Sequence, residues 1–129
     1  MKQKNVILLI ILFFFATSFS IKKVPDVSLE KIWVLENYLN GVSTYKAKAR
    51  FSKNKPGIEF KKDGSLKINQ NSSWCGTEPI EYEIADGTWQ KTNDSIIAFE
   101  HTYWGGTIKL RAKIIQLTKK KLVLKQIHK

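Results

Sequence analysis

The side chains best suited to nucleophilic or acid–base chemistry in this sequence are one cysteine and two histidines. The cysteine is Cys75, and the histidines are His101 and His128. A nucleophilic thiol needs a base beside it, and no recognised local motif joins Cys75 to either histidine. As the single cysteine, it also has no partner for a disulfide within the chain. We therefore interpret Cys75 as a partly buried structural residue.

Glu81 and Glu83 are the paired carboxylates best placed to bind a cation. Because they are two residues apart, they would point to the same face of a strand. Two carboxylates without a third ligand hold a metal poorly, so we interpret the pair as a solvated face opposite lysines of a neighbouring strand. The sequence also lacks zinc-ligand spacing, a phosphate-binding glycine loop, a nucleophile elbow and a dinucleotide-binding motif. It predicts no metal, no cofactor, no catalytic residues and a protein that is not an enzyme.

Large aromatic residues offer a different chemistry, the binding of an apolar molecule. Seven of them occupy alternating positions of segments that read as strands, and they could line the interior of a barrel or simply fill it. Two more stand beside turns, where an aromatic can contact a partner or pack under a loop. The lining candidates are Trp33, Phe51, Phe60, Tyr82, Trp89, Phe99 and Tyr103, and the loop candidates are Trp74 and Trp104.

Alternation of apolar and polar residues predicts the strands that must position these side chains. In the clearest example, Tyr45, Ala47 and Phe51 alternate with lysine and arginine. The first segment, 27–39, could also form a short helix, but we favour a strand. Turn-forming pairs separate about eight or nine strands: the pairs are Asn40-Gly41, Asp63-Gly64, Asp86-Gly87, Asn93-Asp94 and Gly105-Gly106, and the strands lie near 31–38, 44–52, 57–62, 65–71, 79–85, 88–92, 95–103, 107–117 and 121–127.

Short strands joined by tight turns pair antiparallel with their neighbours, and a long meander leaves two unpaired edges unless it closes. Closure into a barrel removes both edges. The sequence therefore predicts an all-β fold, an antiparallel up-and-down meander closed as a β-barrel over residues 29–129.

The first twenty residues read as a secretory signal peptide. A basic start precedes an apolar run from Val6 to Ala16, and small Ser18 and Ser20 suit a cleavage site. The apolar run is much shorter than the roughly 20 residues that span a membrane. No cysteine stands near the expected cleavage point for a lipid anchor. We expect a signal helix over 1–20, a linker over 21–28, and export to the periplasm or the outside, with no membrane span after cleavage.

The chain is strongly basic, with a formal net charge of +11 at pH 7. Such a charge can attract anionic lipid, polysaccharide or nucleic acid. The basic residues are spread evenly from Lys22 to Lys129, however, as they would be if they formed the solvated faces of ordinary strands. We favour that second interpretation, and export argues further against nucleic acid as a partner. The run Lys119-Lys120-Lys121 is interpreted as a hairpin turn.

Several segments together resemble the lipocalin-like domain proteins of the cell envelope of Bacteroidetes-type bacteria. The resemblance covers nearly all of residues 21–129, and Lys31 stands where that family usually has a glycine before Trp33. It implies a small up-and-down barrel that holds an apolar ligand in its interior. The segments that carry it are Leu29-Glu30-Lys31-Ile32-Trp33, residues 58–64, the Cys75-Gly76 loop, residues 82–89 and 94–97, and residues 115–118 with 122–124.

The sequence thus favours an exported, non-enzymatic, lipocalin-like protein that binds a small apolar ligand in the barrel interior or serves the envelope without one. The alternative is an interaction or inhibitor module with a filled barrel, acting through Trp74, Trp104 and the basic turn near Lys120. An oligonucleotide-binding barrel fits less well, because it has about five strands. A ligand carrier requires a cavity of about 300 Å³ or more, lined by the aromatic candidates.

Overall fold

The computed structural model describes residues 27–72 and 80–128. These residues form eight β-strands and no helix, so none of them belongs to a helix able to span a membrane. The expected signal peptide and most of the linker, as well as Trp74 and Cys75, lie outside the described residues. The strands are β1 (Ile32–Leu39), β2 (Val42–Lys48), β3 (Gly57–Phe60), β4 (Ser65–Asn71), β5 (Tyr82–Lys91), β6 (Ile96–Tyr103), β7 (Gly106–Leu117) and β8 (Lys121–Gln126).

All neighbouring strands pair antiparallel, and the sheet closes into a barrel, as predicted. Its order around the barrel is β1-β2-β8-β7-β6-β5-β4-β3. From β3 to β8 this is a sequential meander, but β1 lies between β2 and β3. Residues 49–56 must therefore cross β1 to connect two parallel strands. The first hairpin closes the barrel by placing β2 against β8.

Most predicted turns are confirmed, because their residues adopt the backbone conformations that tight reversals need. Asn40 and Gly41 have φ angles of 51° and 78° between β1 and β2, the conformation of a two-residue hairpin turn. Gly64 has a φ of 86° between β3 and β4. The lysine run begins β8 with Lys121, and Lys119 and Lys120 form the turn before it.

The predicted turn at Asp86-Gly87 is wrong, since both residues lie inside β5. Gly87 does not have a positive φ, and it pairs with His101 of β6. A Cβ atom at this position would overlap the carbonyl oxygen of Glu100. The glycine therefore permits a close approach of two strands and does not reverse the chain.

The uninterrupted β5 decides which of its side chains face the core. Ala85 is buried and Trp89 packs against the core cluster, so alternation turns Tyr82 and Ile84 outward. Ile84 is accordingly 48% exposed. The predicted division into two strands allowed both Tyr82 and Trp89 to face inward. In a single strand these two residues point to opposite faces, because they are an odd number of positions apart.

Apolar side chains from every strand meet in one core. Its five largest fully buried members come from β1, β3, β4, β6 and β8, and Leu29 joins them from the segment before β1. Tyr45 of β2 packs against this cluster. Burial raises the pKa of the Tyr45 phenol, partly offset by a hydrogen bond with Ser43, so the ring stays neutral. The five fully buried residues are Trp33, Phe60, Leu66, Ile97 and Leu122.

Candidate functional site

Two of the predicted lining residues fill the core. Trp33 has no exposed surface, and its Nε1 donates to the carbonyl oxygen of Leu29 at 2.8 Å. This bond ties the segment before β1 to the base of the barrel. Phe60 is 1% exposed. Both rings therefore contribute to stability at positions where no ligand could reach them.

Trp89 and Phe99 are half-buried partners of Phe60. Their rings meet it edge-on, at centroid distances of 5.2 Å and 6.4 Å. The Trp89 Nε1 donates to the carbonyl oxygen of Lys61 at 2.8 Å, which satisfies its polar atom. These two residues sit at cross-strand partner positions of β5 and β6. Of the seven lining candidates, they are the two that border the larger pocket described below.

Phe51 and Tyr82 lie outside the barrel, so their assignment to its interior is corrected. Phe51 belongs to the crossover between β2 and β3, and its ring covers Gly57, whose neighbour Ile58 faces the core. Tyr82 faces outward because Trp89 sets the phase of β5. Both residues border a shallow external groove of about 460 Å³, which also includes Asn69 and Ile80.

Tyr103 and Trp104 form an exposed aromatic tip on the hairpin between β6 and β7. They are 37% and 60% exposed, and their rings meet edge-on at 5.5 Å. The tyrosine ring also lies against Gly105, where a Cβ atom would come within 2.6 Å of it. Tyr103 therefore packs within its own hairpin. The other loop candidate, Trp74, lies outside the described residues.

The described part of the chain contains a pocket of about 790 Å³, here called the outer pocket. Ile97 and Phe99 face the core, so alternation makes Ala98 and Glu100 point away from it. The same rule puts Lys109 and Arg111 on the outer face of β7. Residues from both faces of the barrel wall therefore border the pocket: Trp89, Phe99 and Leu110 turn toward the core, and Ala98, Glu100, Lys109 and Arg111 turn away from it. The other bordering residues are Thr88, Gln90, Gln126, Ile127 and His128.

Small and apolar residues form the middle of the outer pocket, and polar residues surround them. Ala98 lies between its cross-strand partners Gln90 and Arg111, whose side chains are much longer. Ile127 joins the wall beside Arg111, because its amide donates to the Arg111 carbonyl oxygen at 2.9 Å. A short side chain flanked by long ones leaves a depression on an otherwise convex surface.

The charges of the outer pocket are unevenly balanced. Lys109 Nζ lies 3.7 Å from a Glu100 carboxylate oxygen, so these two charges offset each other. No carboxylate of the described residues lies within ion-pair distance of the half-buried Arg111 guanidinium. The pocket therefore presents an arginine able to bind an anionic group in two-point fashion. Within residues 27–72 and 80–128, no cluster of three metal-ligating side chains exists.

Sequence reasoning found Trp89 and Phe99 but missed the rest of the outer pocket. Its key residues, Ala98, Arg111 and Ile127, lie on three different strands or segments, and nothing in their local sequence links them. The one available signal was a small residue in the middle of a predicted strand, at Ala98. That signal becomes informative only when the registers of β5 and β7 against β6 are known.

The fold and the outer pocket define this chain as a small, closed antiparallel β-barrel with a recess on its wall. Comparisons with protein-family models, with curated proteins and with solved structures found no match. The function must therefore be inferred from the geometry alone.

Proposed function

We propose that this protein is an exported, non-enzymatic, lipocalin-like binding protein that holds a small amphiphilic molecule in the outer pocket. The observation that carries the proposal is the pocket itself. A volume of about 790 Å³ falls within the roughly 300–1,000 Å³ typical of small-molecule sites. Apolar residues at its centre, as at Ala98 and Ile127, are also typical of such sites.

The ligand class follows from the residues that border the pocket. Ala98 and Ile127 offer apolar contact, and Arg111 offers a guanidinium with no carboxylate partner among the described residues. A carboxylate, sulfonate or phosphate would accept two parallel hydrogen bonds from that guanidinium. We therefore expect a ligand with an apolar body and one anionic group.

The interior of the barrel supports ligand binding less well than the outer pocket does. Its largest side chains are completely buried, and Trp33 and Phe60 touch other core residues instead of lining a cavity. Replacing such packed side chains by a ligand would cost the contacts that stabilise the fold. We therefore expect the ligand to bind in the outer pocket and not in the barrel interior.

A fluorescent probe tests this proposal directly. 8-Anilino-1-naphthalenesulfonate has an apolar body and one anionic group, so we expect saturable binding with increased emission. Ala98→Phe should fill the pocket and weaken binding by about ten-fold or more. Arg111→Gln should weaken it by about ten-fold. The matched control is Arg50→Gln, because Arg50 is exposed and does not border the pocket.

The outcome that contradicts the proposal is equally definite. Unchanged probe affinity in Ala98→Phe, with a native circular dichroism spectrum, would place the probe elsewhere on the protein. In a separate experiment, native mass spectrometry of protein purified from its source should detect any bound molecule. An anionic amphiphile that is lost in Arg111→Gln would identify the physiological ligand class.

The exposed pair Tyr103 and Trp104 favours a second candidate, an interaction module that contacts a protein partner through this hairpin tip. Tyrosine and tryptophan are enriched in protein interfaces, where they bury a large area. A photo-crosslinking residue at position 104 should then capture one defined partner in the source organism. The same residue at position 62, in the exposed β3–β4 loop, is the control. Equal products from both positions would remove this candidate.

A further inference from the structure

Three neighbouring strands of the barrel carry no acidic residue. In the closed order, β2, β8 and β7 lie side by side. From residue 101 to 129 the chain has eight Lys and Arg residues and no Asp or Glu, and residues 37–58 also lack acidic side chains. These two segments are distant in sequence and contain all three strands. The fold thus joins them into one surface, here called the basic face, which is the outer side of β2, β8 and β7.

Lysines stand directly opposite each other on the basic face. Lys46 pairs with Lys121 across β2 and β8, and Lys113 pairs with Lys125 across β7 and β8. Like charges at directly opposed positions of a sheet are destabilising. Lys46 reaches Glu36 of β1 at 3.9 Å. The other three lysines form no ion pair with any described residue. These opposed lysine pairs do not stabilise the fold. We therefore take them as a sign that the basic face binds an external anion.

Exposed apolar side chains lie on the basic face and at its border with β1. Leu39 pairs with Val42, Val42 with Lys125, and Lys125 with Lys113, so one row of the sheet contains all four. Leu39 is 64% exposed. Ile115 is 52% exposed at the bulge of β7, two residues after Lys113. A surface that combines cations with exposed aliphatic groups suits an interface that is itself both anionic and apolar.

We propose that the basic face docks this protein on the surface of a membrane that contains anionic lipid. Its lysines contact the head groups, and Leu39 and Ile115 enter the apolar boundary beneath them. Single-stranded nucleic acid is less suited to this face, because bases stack on aromatic side chains. The one aromatic residue of β2, β7 and β8 is Tyr45, which packs in the core. Lys109 and Arg111 of β7 border the outer pocket, but Lys113 and Lys125 do not, so variants of these two lysines test docking separately from the pocket.

Vesicle co-sedimentation tests the proposal. We expect the protein to bind vesicles of phosphatidylcholine with about one-third phosphatidylglycerol, to ignore pure phosphatidylcholine, and to dissociate as salt increases. The double variant Lys113→Gln/Lys125→Gln should bind about 25-fold more weakly, at about five-fold for each lysine. Lys62→Gln/Lys91→Gln is the matched control, with the same change of net charge at exposed positions outside the basic face. An equal loss in both double variants would overturn the proposal.

Two further variants separate docking from general charge attraction and from misfolding. Lys113→Glu should weaken vesicle binding yet raise the unfolding temperature, because a glutamate opposite Lys125 replaces repulsion with attraction. Leu39→Gln should weaken binding to vesicles and leave binding to heparin, a soluble polyanion, unchanged. The membrane proposal would be wrong if the protein bound heparin more tightly than the vesicles and Leu39→Gln changed neither of these two affinities. The basic face would then be a site for soluble polyanions.

Discussion

In two loops of the barrel, a side-chain oxygen accepts hydrogen bonds from residues two or three positions later in the chain. The side chain is a charged aspartate in one loop and a neutral asparagine in the other. Asp63 accepts hydrogen bonds from the Ser65 amide at 2.9 Å and the Ser65 hydroxyl at 2.6 Å. Asn93 accepts bonds from the amides of Ser95 and Ile96, each at 2.9 Å. Both residues were predicted as turn formers, because short polar side chains can bond to the backbone two residues on. The two loops differ in their response to pH.

Asp63 should make stability depend on pH at the acid end. The hydrogen bonds from Ser65 hold the pKa of this carboxyl below its usual value, so the folded state favours the charged form. Its contribution is present above the unfolded pKa of about 4 and is lost as the pH falls through the lower folded value. We expect Asp63→Asn to lower stability near neutral pH and to match the wild type in strong acid.

Urea unfolding at a series of pH values measures this difference. Asp94→Asn is the matched control, because the neighbouring Asn93 supplies the hydrogen bonds in that loop. A constant difference between wild type and Asp63→Asn down to about pH 2 would show that the charge of Asp63 does not contribute.

The crossover between β2 and β3 depends on one buried asparagine of β4. Asn69 is 5% exposed, and its Nδ2 donates to the carbonyl oxygens of Ser52 and Lys55 at 2.8 Å and 3.0 Å. Phe51 covers Gly57 beside it. These contacts hold residues 49–56 against the outer surface, and they allow β2 to leave β3 and pair with β8.

We therefore expect Asn69→Ala to lower the free energy of unfolding by about 2 kcal/mol, at about 1 kcal/mol for each lost hydrogen bond. Asn69→Asp should cost more, because a carboxylate would face two carbonyl oxygens and has no hydrogens to donate. Chemical denaturation gives both values, and hydrogen exchange should increase at residues 52–56. Asn37→Ala, at an exposed position of β1, serves as the control. An equal loss in the control would mean that Asn69 does not hold the crossover.

Charge is distributed unevenly around the closed barrel, although the basic residues are spread evenly along the chain. Basic residues occur throughout the sequence, which favoured the interpretation of ordinary solvated strands. Pairing of β2 with β8 brings two acid-free segments together. The resulting basic face carries mutual repulsion that must reduce stability at low ionic strength.

Added sodium chloride should stabilise the protein for this reason. Salt shortens the screening length from about 10 Å at 0.1 M to about 3 Å at 1 M, so repulsion between neighbouring lysines declines. We expect the urea midpoint to increase as salt rises, with a smaller increase in Lys113→Glu. If both proteins responded equally to salt, the lysine pairs would not be the source of the repulsion.

The alternation of residues and the turn-forming pairs correctly predicted an all-β chain and an antiparallel barrel, and the eight strands observed lie within the predicted eight or nine. These features can be predicted from neighbouring residues. A half-buried strand has apolar side chains at every second position, and a tight hairpin turn depends on two adjacent residues. Asn40-Gly41 is an example. Asp86-Gly87 shows the limit of such local predictions. This pair also resembles a turn in sequence, but its glycine is needed because β6, a separate segment of the chain, approaches it closely.

Strand order, the phase of β5, the outer pocket and the basic face depended on contacts between distant segments. Every strand presents similar backbone hydrogen-bonding groups, so local sequence does not say whether β2 pairs with β3 or with β8. That choice is made by long-range packing, such as Phe51 on Gly57, and by the Asn69 bonds to the crossover. Ala98 and Arg111 become neighbours, and Lys113 comes to face Lys125, only after the registers are set. For this reason the candidate functional surfaces of this protein lie on the outer wall of the barrel, although its sequence pointed to the interior.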